Sequence, residues 1–403
     1  MNQELEQIQR QEQELLLHTY ARYPVCVESA RGCRLFDSQG GEYLDLLAGI
    51  SVCNLGHCRQ ELQQVLQEQA GKLVHISNLF YQRPQLELAK ALLQAAGLER
   101  AFFCNSGAEA NEAAIKLARR YFQVHKQKNR YRIITLEGSF HGRTLATLAA
   151  TGQPGLKQGF EPLPEGFSSI PAEDLKALEQ ALQQDTAGLL LEVIQGEGGV
   201  RPLSREYLLE AQSLCRDRGI LFMIDEVQTG MGRTGRIWAY EHYDLQPDIV
   251  TTAKALANGL PLGAMLASKE VAQGFSPGSH ATTFGGGALV CKVASKVLEI
   301  LQQEGLVQEA SQKGEYFRQG LLKLKSEYPA QILEVRGLGL MLGVELGREP
   351  KRVWQRLLEK GFVCNLAQGQ VLRLLPPLVI SRQEMDSFCQ ALGEVLGEEH
   401  KAE

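Results

Sequence analysis

Between about residue 100 and residue 270 this chain repeatedly sets a short apolar run between stretches of helical period. The runs are Ala101-Phe102-Phe103-Cys104, Arg132-Ile133-Ile134-Thr135-Leu136, Gly188 to Ile194, Ile220 to Ile224, Asp248 to Thr252 and Gly263 to Ala267. A strand that is apolar along its whole length has no face for water, so its sheet must be covered on both sides. Helices lying between successive strands make most of the pairings parallel. Pro84–Ala96, Ala108–Phe122 and Arg205–Arg218 carry the helical period that supplies such covers. The expected class is α/β, with a mostly parallel central sheet and a smaller α+β domain.

The expected division follows from the same pattern. Residues 1–58 form an N-terminal segment, a Gln/Glu-rich helix to about residue 20 and then short strands over Val25–Leu46 that turn at Ser38-Gln39-Gly40-Gly41. Residues 59–290 form the large α/β domain. Residues 291–403 form a C-terminal α+β domain, with a strand over Gly337–Leu346 and a helix over Arg382–Leu396, which the N-terminal segment joins. A long helix, Leu289–Gln303, leaves the large domain.

The bulk composition excludes several functions. A net charge of -5 gives no general attraction to nucleic acid or to an anionic membrane surface. No apolar stretch approaches the ~20 residues of a membrane span. The start, Met1-Asn2-Gln3-Glu4-Leu5-Glu6-Gln7, lacks the basic segment and apolar core of a signal peptide. The nine cysteines are scattered, with no Cys-x-x-Cys pair, which fits free thiols in a reducing cytoplasm better than disulfides or a metal site.

Chemistry concentrates just past the strand ends. Asp248 to Thr252 leads into Ala253-Lys254, and Leu221 to Ile224 ends on Asp225. An amine and a carboxylate at the C-terminal ends of sheet strands suit pyridoxal 5'-phosphate. The amine forms a Schiff base with its aldehyde, and the acid keeps its ring nitrogen protonated. Taken singly, Lys254 is a surface lysine, and Asp225 a helix cap or loop ion pair. Gln228 is either within reach of the ring oxygen or a solvent-facing loop residue. Ser106-Gly107-Ala108-Glu109 has capping-box spacing and small residues at a helix start, which makes either a phosphate site or a helix capped without a ligand. In Gly138-Ser139-Phe140-His141-Gly142-Arg143, Phe140 stacks on an aromatic ring and Arg143 grips a carboxylate, or both belong to an ordinary loop. Glu197, among glycines in Gln195-Gly196-Glu197-Gly198-Gly199, is a mobile carboxylate beside a ligand or a solvated one. A hydroxyl in His280-Ala281-Thr282-Thr283-Phe284-Gly285-Gly286-Gly287 binds phosphate, or the segment is a Gly-rich turn.

In this order, from about Thr19 to Leu396, these segments resemble the class III, fold-type I, pyridoxal-phosphate-dependent aminotransferases. Within the class the chain is most similar to the acetylornithine subgroup. That similarity rests on Thr19-Tyr20-Ala21-Arg22-Tyr23-Pro24-Val25, Leu47-Ala48-Gly49-Ile50-Ser51-Val52, Leu55-Gly56-His57, Phe103 to Glu112 and Val371-Leu372-Arg373-Leu374-Leu375-Pro376-Pro377. The resemblance implies Lys254 as the Schiff-base lysine, Asp225 at the pyridine nitrogen, Gln228 at the ring oxygen and Phe140 on the ring face. It implies Ser106, Gly107 and Ala108 at the phosphate, with Thr283 supplied by a second copy, hence a homodimer with shared sites. It implies Arg143 for the distal carboxylate of the substrate, Glu197 and Arg373 as a carboxylate gate, and Tyr20 and Ile50 as substrate contacts. Three segments depart from the family: Cys58-Arg59-Gln60 for Cys-His-Pro, Gly287-Ala288 for Asn-Pro, and Glu192-Val193 for Glu-Pro.

The activity so implied moves the terminal amino group of N-acetylornithine to 2-oxoglutarate, giving N-acetylglutamate semialdehyde and glutamate, as in arginine biosynthesis. Its partners are these small molecules, without nucleic acid or membrane. Ile50, where ornithine aminotransferases have a tyrosine, suits an acylated nitrogen better than a free ammonium. The alternatives are a succinylornithine, ornithine or N-succinyl-diaminopimelate aminotransferase, or a non-catalytic protein that binds the cofactor.

Overall fold

A computed structural model describes residues 3–401, so Met1, Asn2, Ala402 and Glu403 lie outside the description. At its centre is a seven-stranded sheet. Its order is Arg100–Cys104, Gly263–Ala267, Ile249–Thr252, Leu221–Asp225, Thr186–Leu191, Arg132–Leu136 and Phe167–Ile170. Only Gly263–Ala267 runs against its neighbours. The expected α/β architecture, with a mostly parallel sheet, is the one observed.

The continuous apolarity of these strands serves two cores, because successive side chains point to opposite faces. Ile134, Leu136, Leu189, Leu191, Phe222 and Ile224 pack into one cluster. Ile133, Ala187, Leu190, Leu221 and Met223 pack into the other. The helix Gly107–Arg120 covers the second face with Ala113, Ala114, Ile115, Leu117 and Ala118.

Three short N-terminal strands, Val27–Arg31, Arg34–Asp37 and Glu42–Asp45, form a four-stranded sheet with Phe362–Val363 from the other end of the chain. A further sheet has the order Ile332–Leu338, Met341–Leu346, Val371–Leu374 and Asn365–Ala367. No helix among the described residues is long and apolar enough to cross a membrane.

Several boundaries differ from expectation. The N-terminal helix is Gln3–Leu15 and stops short of residue 20. The Gly337–Leu346 run is not one strand: it folds back at Gly339-Leu340, pairing Leu338 with Met341. Gly339 adopts a φ of 54°, and a Cβ there would lie 2.4 Å from the Thr234 backbone, so only glycine allows the turn. The Gly188–Ile194 run also divides. Thr186–Leu191 stays in the central sheet, while Ile194–Gln195 pairs with Arg201–Pro202. The break is at Glu192, whose carboxylate accepts from the N–H groups of Phe140 (2.9 Å) and Gly196 (3.2 Å).

Candidate active site

In a sheet of this kind ligands bind beyond the carboxyl ends of the strands, and the side chains singled out from sequence gather there. Ser106, Gly107, Ala108, Phe140, Arg143, Glu197, Asp225, Gln228 and Lys254 all line one cavity of about 450 Å³. A second cavity of about 450 Å³, bounded by Phe102, Met265, Phe275 and His280, has no such convergence of acid, amine and amide.

The helix beginning at Gly107 opens its N-terminus onto the cavity. Ser106 caps it, its Oγ accepting from Glu109 N–H at 3.2 Å. The Glu109 carboxylate reaches one residue further back than an ordinary capping box, taking Asn105 N–H at 2.9 Å as well as the Ser106 hydroxyl at 2.9 Å. The first N–H groups of the helix have no partner within it, and Gly107 keeps them accessible. A Cβ there would fall 2.6 Å from Val227 Cγ1.

Asp225 is the last residue of its strand and only 3% exposed. Its Oδ2 accepts from Asn111 Nδ2 (2.7 Å) and faces His141 Nδ1 (2.8 Å), and its Oδ1 accepts Val227 N–H (2.9 Å). Asn111 is itself set by Thr251, whose hydroxyl donates to Asn111 Oδ1 at 2.7 Å. Neither Asn111 nor His141 was singled out from sequence. The available signal for Asn111 was a polar residue on the alanine face of its helix, among Ala110, Ala113 and Ala114. Glu192 is a third unanticipated member. Burial and then the neighbouring Asp225 push its carboxyl well above the ordinary range.

Lys254 lies two residues past its strand, which ends at Thr252, and begins a short turn with φ 43°. A lysine in the left-handed region is held against local preference, as residues at functional sites often are. It makes no hydrogen bond or ion pair among the described residues. Burial, and then Arg373, pull its ammonium down to about 8. An amine of that kind is available as a nucleophile near neutral pH.

Glu197 and Arg373, the pair expected to form a gate, arrive from different sheets. Arg373, fully buried, sits in Val371–Leu374. Its Nη1 donates to Glu197 Oε1 at 2.5 Å and to Gln228 Oε1 at 3.3 Å, and its Nε donates to Asn365 Oδ1 at 2.9 Å. Burial acts to raise the Glu197 carboxyl, but Arg373, with smaller help from Lys254 and Gln228, more than offsets it, so the group stays below its usual range. The glycines flanking Glu197 are required by close packing. A Cβ on Gly196 would lie 2.1 Å from Gln228 Oε1, and one on Gly198 2.9 Å from Gly138 O. Beyond Glu197 the backbone is tied down: Arg201 binds Gly198 O, and Arg336 binds Gly199 O and Val200 O. Any change in the pair therefore falls to the Glu197 side chain rather than to a swinging loop.

Arg143 also lines the cavity, its guanidinium 5.5 Å from the Phe140 ring centroid, with no carboxylate partner among the described residues. Four residues singled out from sequence lie outside the lining: Arg373, which reaches it only through Glu197 and Gln228, and three others. Tyr20 is 71% exposed, Thr283 is exposed, and Ile50 is half-buried against the core with φ 65°.

Pyridoxal 5'-phosphate fits what is present. Asp225 has roughly four acceptor positions, of which three are taken, leaving one for a ring N–H. Gly107 leaves room at an unpaired helix N-terminus for the phosphate. Lys254 supplies an amine without a competing partner, and Phe140 an aromatic face. No group of three or more His, Cys, Asp or Glu side chains among the described residues is placed to hold a metal ion.

Residues 17–396 match the aminotransferase class-III family. The chain is 45% identical to the acetylornithine aminotransferase of Methanocaldococcus jannaschii, over 95% of this chain and 96% of that protein. The ornithine aminotransferase of Toxoplasma gondii superposes with a TM-score of 0.95 at 32% identity, covering 99% of this chain and 96% of that one. The N-acetylornithine aminotransferase of Stenotrophomonas maltophilia does so with a TM-score of 0.82 at 38% identity, covering 96% and 99%. With the family matched over nearly its whole length, this chain belongs to the class-III aminotransferases and is a pyridoxal-phosphate-dependent enzyme.

Proposed function

We propose that the enzyme moves the terminal amino group of N-acetylornithine to 2-oxoglutarate, as in arginine biosynthesis. The observation that carries this reading is the Glu197–Arg373 pair, with Glu197 lining a cavity also lined by Arg143, which has no carboxylate partner among the described residues. The donor reacts at a terminal carbon that bears no carboxylate, whereas 2-oxoglutarate and glutamate have one beside the reacting carbon. With Glu197 on Arg373 the near cation is masked, and the donor anchors its distant carboxylate on Arg143. With Glu197 turned away, Arg373 takes the α-carboxylate of the second substrate and Arg143 the other one. Glu197 is 31% exposed while Arg373 is enclosed, so the carboxylate is the partner with room to move. Turning it away with no replacement would leave a buried charge unpaired, at about 3–5 kcal/mol. That cost favours the open form only when a substrate carboxylate arrives.

When bound, pyridoxal 5'-phosphate supplies an electron-accepting ring and the aldehyde carbon that carries nitrogen between the two substrates. The remaining roles fall to this chain. Asp225, fixed by Asn111, His141 and Val227, holds a proton at the ring nitrogen. Phe140 orients the ring, Gln228 its oxygen, and Ser106, Gly107 and Ala108 its phosphate. Lys254 would take a proton from the donor's reacting carbon as general base and deliver it as general acid to the cofactor's aldehyde-derived carbon.

A second copy of the chain completes this reading. Thr283 is exposed beside Phe284 (65%), and Leu79 (88%), Phe80 (59%) and Tyr81 (102%) form an apolar run joined to it through Asn78, which donates to Thr282 O and Gly285 O. An exposed apolar face of this kind marks a protein contact, and a two-fold partner there would present Thr283 to the other phosphate site. Free thiols throughout support a cytoplasmic setting.

Acylated donors are favoured by the likeness to the acetylornithine aminotransferases. The test is a half-reaction panel on the purified holoenzyme, following the absorbance of the bound cofactor with N-acetylornithine, N-succinylornithine, ornithine and N-succinyl-diaminopimelate. N-acetylornithine should react fastest. Faster reaction with free ornithine would overturn the assignment.

A further inference from the structure

We propose that Gln368, which no sequence motif marked, is a positioning residue that latches the gate closed and so sets donor selectivity; this rests on the gate reading above. Gln368 Nε2 donates to the Glu197 carbonyl at 2.6 Å and to Gln153 Oε1 at 3.2 Å. Gln153 Nε2 in turn donates to Ser139 O, next to Phe140, at 3.2 Å. The two amides therefore bridge the loop that carries Phe140 and the loop that carries Glu197.

The latch acts at a carbonyl of the gate loop that neither Arg201 nor Arg336 holds; Gly196 O accepts from the Gly199 and Val200 N–H groups instead. The peptide group before Glu197 is thus held through Gly196 O, and the one after it is held by Gln368. A hydrogen bond to the Glu197 carbonyl is a direct restraint on where its carboxylate starts. Gln368 also shares a hairpin with Asn365 and Arg373. Both members of the ion pair are thus referenced to the same short piece of sheet.

The turn itself shows that Gln368 was not chosen for local comfort. Gln370 N–H donates to Ala367 O, and the two central residues have positive φ, 49° at Gln368 and 72° at Gly369. Asn-Gly is the favoured pair for such a turn, and glutamine is a poor first residue. Asparagine would relax the turn, but its amide would fall about 1.5 Å short, one carbon–carbon bond. Strain kept at a site where the longer side chain makes a contact across two loops points to a role for that contact.

Gln368→Asn separates the two explanations. As a structural substitution it should leave melting temperature unchanged or raise it. As loss of the latch it should slow the N-acetylornithine half-reaction relative to the glutamate half-reaction by about three- to tenfold, the scale of one hydrogen bond. The ratio is measured by single-turnover kinetics in the parent enzyme and in Glu197→Ala. The latch predicts a shift in the first and none in the second. If Glu197→Ala moves the ratio but Gln368→Asn does not, or moves it equally in both backgrounds, the latch is wrong and the gate survives. If Glu197→Ala itself leaves the ratio unmoved, the gate falls and the latch with it.

Discussion

Asp225, which lines the cavity, and Arg373, which is bonded to the lining residues Glu197 and Gln228, are both buried charges, yet the protein surrounds them differently. Asp225 meets three donors, from the Gly107–Arg120 helix, the Phe140-His141 loop and its own turn, and Asn111 is secured in turn by Thr251. Arg373 depends on one carboxylate, Glu197, which is itself 31% exposed, with Asn365 holding its Nε. A cofactor that stays through every turnover calls for a charge fixed in a single arrangement. Two substrates that differ by a carboxylate beside the reacting carbon call for a charge whose partner can be exchanged. Preorganisation and exchangeability thus occupy adjoining walls.

The widest break in this comparison is Lys254→Ala. Because Lys254 carries no structural hydrogen bond, turnover should fall by at least about 10⁴-fold with the folded state retained. Borohydride reduction of the parent holoenzyme followed by peptide mapping should place the cofactor on Lys254, and label on another lysine would refute its role.

Asp225→Ala comes next. Turnover should drop by about 10²–10³-fold with a much smaller change in substrate binding, since the charge matters most as electrons move into the ring. It should also cost about 1–3 kcal/mol of stability, because Asn111, His141 and the Val227 N–H lose a buried acceptor. Near-normal single-turnover rates would remove the pyridinium role. An unchanged denaturation midpoint would remove the claim of a rigid network.

The depressed pKa of Lys254 gives a pH test on the enzyme freed of cofactor. An amine-reactive probe attacks only the neutral amine, and a lowered pKa makes that form available at lower pH. Labelling of Lys254 should rise with pH through a midpoint near 8. Ordinary exposed lysines have midpoints near ~10.4, an advantage of up to about 100-fold at pH 8. A midpoint near that of the exposed lysines would show that burial and Arg373 do not act on this amine.

Asn365→Ala is the mildest. Arg373 loses the acceptor at its Nε, and binding of glutamate and 2-oxoglutarate should weaken by about three- to tenfold. The acylated donor, which does not use Arg373, should keep its KM. Equal weakening for both substrates would mean that Asn365 supports the hairpin in general.

The two walls differ in how far they could be read from the chain. Arg132–Leu136, Arg205–Arg218 and Gly263–Ala267 have the bounds their periodicity indicated. Lys254 and Asp225 were visible because a charge at the end of an apolar run is conspicuous. Asn111 and His141 were missed because a helix period and a loop composition do not say which polar side chain turns inward. The hairpin in Gly337–Leu346 was missed because its turn residues, Gly339 and Leu340, continue an apolar run, and the glycine is explained by Thr234, a distant neighbour. The reading of Glu197's glycines as freedom to move was also incomplete, since their contacts with Gln228 and Gly138 show that closeness is what requires them.

By itself the sequence determined six of the seven central strands, missing only Phe167–Ile170, together with their burial on two faces and the amine and acid beyond their ends. Each of these follows from a period or a boundary within a few residues of chain. The resemblance had paired Glu197 with Arg373, and the structure brings them together across 176 residues; only the tertiary structure decided that Gln368 reaches the Glu197 carbonyl across 171 and that three donors close on Asp225. Those contacts depend on the register between sheets and on which loops come to the same end of them. The low pKa of Lys254 depends on the burial and neighbouring charge that the assembled cavity creates.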